Sequence, residues 1–105
     1  MIFIITFYVP IDACEQVKQA MFAAGAGVLG SYDQCCWQVL GDGQFRPKAG
    51  SNPAIGNMGS LSRLKEYRVE MLCQHQYVEK TIKAMKKSHP YEEVAYHVLS
   101  HDEKF

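Results

Sequence analysis

"YRVEMLC", Tyr67 to Cys73, alternates without a fault. Tyr67, Val69, Met71 and Cys73 fall on one side, and Arg68, Glu70 and Leu72 on the other. A period of two is the mark of a strand with one face against a core. Downstream, Val78, Ile82 and Met85 recur at helical spacing, with Lys80, Lys83, Lys86 and Lys87 largely on the wet side, until Pro90 closes the helix. Val94 to Leu99 then reads as a last strand, and residues 100–105 as a polar tail. Upstream, Ile2 to Val9 is a strand rich in Ile, Phe, Tyr and Val, ended by Pro10. Asp12 opens a helix with Glu15 three residues on, the spacing of a capping box. Ala13, Val17, Ala20, Met21 and Ala24 form its buried stripe, and Gly25 stops it. An interrupted extended segment through Tyr32, Trp37 and Leu40 leads into a long glycine-rich loop over 41–63.

The order is therefore strand, helix, strand, strand, helix, strand. Two right-handed β-α-β halves in one antiparallel sheet give an α+β, ferredoxin-like sandwich, a single domain over 1–105 with both helices on one face. Strand one carries apolar residues on both of its faces (Ile2, Ile4, Phe3, Ile5, Phe7). A sheet face left apolar predicts that another subunit covers it. Trp37, the single tryptophan, is expected to be mostly buried against a neighbouring element.

Composition narrows the function classes. Of 105 residues, 48% are hydrophobic, which fits one folded domain. Eleven basic and eleven acidic residues give a formal charge of zero, which argues against nucleic acid and anionic membrane as partners. Cys35 and Cys36 are adjacent, Cys14 and Cys73 are remote, and there is no C-x-x-C. This pattern suits four reduced, packing thiols and a cytoplasmic setting. The apolar start is too short to span a membrane and lacks the basic residues of a signal peptide. "GAGVLG", Gly25 to Gly30, matches the dinucleotide-binding letters, but it follows a helix and leads into a strand. That context supplies no helix amino end for a pyrophosphate, so helix termination and a turn explain it.

"AGAGVLGSYDQCCWQVLGDGQFRPKAGSNPAIGNMGSL", "EYRVEML" and "HPYEEVAY" together resemble the YqfO-type domain, which occurs alone and as the insert of Nif-three-like (interacting-factor-3) proteins. The resemblance covers nearly the whole chain. It implies a fold like those of the divalent-cation-tolerance protein CutA and the PII signalling proteins, and it implies a homotrimer. The chain departs from the family pattern at Val94, where Pro is usual, and at His97 and Ser62, where acids are usual. The metal-binding, hydrolase-like core of the full-length family has no counterpart in these residues.

Two groups of residues carry chemistry. In the loop, Gly41, Gly43, Gly50 and Gly56 would let backbone N–H groups approach an anion. Arg46 would grip phosphate or carboxylate, with Gln44, Phe45, Ser51 and Asn52 beside it. The same letters also build turns, with Phe45 plugging the sheet edge and Arg46 paired to an acid such as Glu70. In "HPYEE", His89, Glu92 and Glu93, with His97 beyond, are the candidate ligands of a divalent metal ion. Against this, adjacent glutamates on a strand point opposite ways, and His89 at a helix end reads better as a cationic cap with a salt bridge. His97 and His101 would stand on the order of 13 Å apart in extended chain, too far for one ion. Ser-His-Asp, P-loop and H-E-x-x-H patterns are absent from the sequence. Three readings stand: an oligomeric CutA/PII-like binding or regulatory module for a small anionic ligand, a divalent-metal binder, and an enzyme of unknown reaction.

Overall fold

The computed structural model describes residues 1–102 and 104. Four strands form one antiparallel sheet: β1 (Ile2–Pro10), β2 (Trp37–Phe45), β3 (Ser62–Gln74) and β4 (Tyr96–His101), in the order β2-β3-β1-β4. Helix α1 (Cys14–Ala23) joins β1 to β2, and α2 (His75–Ser88) joins β3 to β4. This is the α+β, ferredoxin-like arrangement expected from the element order.

The register explains which residues face the helices. Ile5 stands between Met71 and Val98, and Phe7 between Val69 and Tyr96. These odd-numbered positions of β1 meet Val17 and Met21 of α1 and Met85 of α2 in a fully enclosed core. Burying each such side chain contributes about 1.5–3 kcal/mol. The even positions look the other way: Ile4 between Leu72 and Leu99, and Thr6 between Glu70 and His97. Among the described residues no helix covers this second face. Exposed Trp37, Val39 and Leu99 lie on it.

Several elements differ from the sequence reading. The capping box at Asp12 and Glu15 is not formed. Residues Ile11–Ala13 make a 3-10 turn, α1 begins at Cys14 without a side-chain cap, and Glu15 instead pairs with Lys18 at 2.8 Å. Tyr32 belongs to a tight turn bridged to Leu29, outside β2. The residues Gly25, Gly27 and Gly30 all have positive φ, as a helix stop and turn require. The loop over 41–63 is shorter than its letters suggest. Gly41 to Phe45 pair with Glu66 to Ser62, so β2 runs through both glycines and the excursion spans only 46–61. β4 starts two residues later than expected and reaches His101, so Ser100 and His101 belong to the sheet and not to a tail. The rest of the expected tail includes residues 103 and 105, which lie outside the described residues. Trp37 is 65% exposed, not buried. It sits on the uncovered face at the start of an edge strand, opposite Glu70.

Candidate functional site

The loop after β2 and the segment after α2 enclose a cleft of about 820 Å³ at one end of the sheet. That volume suits a ligand of nucleotide or drug size. Each wall has a physical origin. Pro47 is buried, and its carbonyl accepts the Gly59 N–H at 2.7 Å, which draws the two ends of the loop together. The Ser51 hydroxyl donates to the Lys48 carbonyl at 2.7 Å and stabilises the turn at Gly50. The Asn52 N–H donates to the Glu92 carboxylate at 2.8 Å, tying the loop to the opposite segment.

The second wall is built on His89. This residue is 7% exposed. Its Nδ1 accepts the Tyr91 N–H at 3.1 Å, and its Nε2 lies 2.7 Å from the Tyr8 carbonyl. An accepting Nδ1 and a donating Nε2–H define the neutral ring with one tautomer. Burial pushes the His89 imidazole below its ordinary value, against the weaker upward pull of the Tyr8 carbonyl and of Glu66. The Tyr91 ring packs on His89 at 4.8 Å and on Phe45 at 6.3 Å between centroids. Its hydroxyl donates to Glu66 at 2.7 Å. Burial, followed by the adjacent carboxylate, raises the Tyr91 phenol well above its usual value, so it stays a donor.

Most of the residues singled out in the sequence meet here. Gly43, Gln44, Phe45, Arg46, Gly50 and Ser51 line the cleft, and Glu92 and Glu93 line it from the other side. Gly41, Asn52 and Gly56 do not, although the Asn52 N–H holds the loop in place. Phe45 packs against Tyr91 and does not plug the sheet edge, and Glu70 pairs with Arg68 at 3.2 Å, not with Arg46. Arg46 and Lys48 are exposed and make no ion pair among the described residues. Lys48, Tyr8, Glu66 and Tyr91 also line the cleft. The signal for Lys48 and Tyr91 is present in the loop and in "HPYEE", whereas Tyr8 reads only as a strand residue and Glu66 falls just before the strand read from Tyr67.

The metal candidates are not gathered. Among the described residues no three His, Cys, Asp or Glu side chains stand close enough to hold an ion. Both His89 nitrogens are engaged, and as a neutral buried ring it is not a cationic helix cap. One Glu92 oxygen is taken by Asn52, and His97 pairs in register with Thr6 in the sheet. All four cysteines are free, and none lines the cleft. Burial raises the Cys14 and Cys73 thiols above their ordinary value, which keeps them protonated packing groups.

The ferredoxin-like sheet with its two helices is shared with CutA. The periplasmic divalent cation tolerance protein CutA of Archaeoglobus fulgidus superposes with a TM-score of 0.69, covering 97% of this chain and 85% of that one, at 12% identity. At that identity the likeness concerns the fold alone. A Bacillus cereus protein related to NIF3 is more similar, with a TM-score of 0.82 and 38% identity over 96% of this chain and 26% of that one. In sequence, the GTP cyclohydrolase 1 type 2 homolog of Mycobacterium tuberculosis is 42% identical over 89% of this chain. Its Bacillus subtilis counterpart is 44% identical over 87%. Over most of its own length this chain is thus similar to one segment of longer, Nif3-related proteins, and its fold is that of CutA. It spans about a quarter (24%) of the length of the curated relatives it matches. No family model matches the chain.

Proposed function

We propose that this domain is an oligomeric binding or regulatory module of the CutA/PII-like type, which takes a small anionic ligand in the cleft between the loop and the His89–Glu93 segment. The observation that carries this reading is the pair Arg46 and Lys48. Both line a cleft floored by aromatic rings, and both lack an ionic partner among the described residues. Guanidinium and ammonium groups held over an apolar floor favour phosphate or carboxylate. Ligand binding would order the 46–61 loop, and that ordering is the regulatory readout.

The oligomer is the second part of the proposal. Ile4, Val39, Leu72, Leu99 and Trp37 give the uncovered sheet face an apolar surface that a second copy would bury, and the CutA likeness favours a trimer. Binding is preferred over turnover because no thiol lines the cleft and its histidine neighbour is sealed beneath Tyr91. The activity named for the longer relatives forms no part of this reading. Among the described residues no helix is long and apolar enough to cross a membrane. A cytoplasmic location is proposed from the unpaired cysteines. A thermal-shift screen of nucleotides, inorganic phosphates and divalent metal salts, on wild type and Arg46→Ala together, tests the ligand. Stabilisation by a phosphate compound that Arg46→Ala abolishes supports it. Stabilisation by metal salts alone would favour the metal reading instead.

A further inference from the structure

The charges of the cleft are of both signs, and they sort into two groups. Asp42, Arg46, Lys48, Glu66, Glu92 and Glu93 line it. Three of these already have partners. Lys65 holds Asp42 at 2.8 Å, the Tyr91 hydroxyl donates to Glu66, and the Asn52 N–H donates to Glu92. The other three, Arg46, Lys48 and Glu93, make no ion pair or side-chain hydrogen bond among the described residues, with each other or with anything else. Lys86 shares a small depression with Glu93, but its ammonium sits over the Tyr96 ring at 5.1 Å from the centroid and forms no ion pair.

Two free cations therefore come from the loop, and one free carboxylate comes from the segment it is tied to. A simple anion would satisfy the first group. It would also enter a lining with four acidic and two basic side chains, where Glu93 repels it. A molecule with an anionic group at one end and a cationic or strongly donating group at the other satisfies both. The rings of Phe45, Tyr8 and Tyr91 line the same cleft and suit a planar linker. We infer that the ligand of this cleft is bipolar, an aromatic or heteroaromatic molecule with a phosphate or carboxylate held by Arg46 and Lys48 and a cationic or amino end held by Glu93. This inference rests on the proposed anion site and adds the second pole.

A matched pair of probes separates the two. Tyramine O-phosphate and 4-ethylphenyl phosphate share ring and phosphate and differ in the ammonium. Calorimetric titration of both, and of inorganic phosphate, is made on wild type, Arg46→Ala and Glu93→Gln. Glu93 is exposed, so its variant keeps the fold, and circular dichroism checks this. The expected result is that wild type binds the tyramine ester about tenfold more tightly than the ethyl ester, the effect of one charge-assisted hydrogen bond. Glu93→Gln removes that preference without weakening 4-ethylphenyl phosphate, while Arg46→Ala weakens both esters. Equal binding of the two esters by wild type, or a preference that survives Glu93→Gln, overturns the bipolar inference and leaves the anion site standing. No binding of any probe overturns both.

Discussion

The Glu66 carboxylate occupies the space that a β-carbon on residue 43 would fill. Gly43 pairs with Leu64 on the neighbouring strand, and Glu66 pairs with Gly41, so the two are diagonal neighbours on the uncovered face. Gly43 does not have positive φ, so glycine is needed here for room and not for backbone freedom. The space lets Glu66 lean across β2 and receive the Tyr91 hydroxyl, which fixes one wall of the cleft.

Gly43→Ala is expected to push Glu66 aside and break the Tyr91 bond. The cost is about 1–2 kcal/mol, somewhat below a fully buried charge-assisted hydrogen bond because both partners are half-buried. In a Glu66→Ala background the same change should be nearly silent. Urea unfolding of the four proteins in this cycle reads the coupling, and simple additivity would contradict the account.

His89 predicts a direction for pH. Its folded value lies below the ordinary 6.5 because burial disfavours the charged ring. The unfolded chain therefore takes up the proton first as pH falls. The stability His89 contributes is present above about 6.5 and is lost as pH falls from there through the depressed folded value. Glu66 faces the ring and opposes the shift without reversing it. Unfolding curves from pH 8 to pH 5 should show falling stability, and His89→Gln should flatten that fall. An NMR titration placing His89 above 6.5 would count against the sealed neutral ring.

Trp37 serves as the probe of assembly. In the single chain its truncation removes little buried surface, so Trp37→Ala should change monomer stability by less than about 1 kcal/mol. If copies pack on the uncovered face, Trp37→Glu should dissociate them and leave the circular dichroism unchanged. Sedimentation equilibrium that shows wild type as monomer at micromolar concentration would remove the oligomer proposal.

The regular alternation of Tyr67–Cys73 and the helical stripes through Val17 and Met85 made the element order and the helix-facing core readable in advance. These signals are local, and packing only had to agree with them. β2 was misread past Leu40 because Gly41 and Gly43 have no side chains to alternate. What makes that stretch a strand is its ladder with β3, a non-local cause. Trp37 was misplaced for a related reason: size argues for burial, but its register on an edge strand points it away from both helices. Arg46 and Glu92 were both legible as chemistry. That they share one cleft was not, because the sheet brings together segments some forty residues apart in sequence.

Calorimetric titration of inorganic pyrophosphate into wild type and Arg46→Ala, with unfolding curves for both, tests the central claim most directly. The account predicts binding to wild type that the variant weakens by about 1.5–3 kcal/mol, with stability unchanged because Arg46 has no ionic partner among the described residues to lose. A variant that binds as wild type does, or a destabilised variant of a protein that binds nothing, would contradict it and leave the 46–61 loop as an architectural clamp.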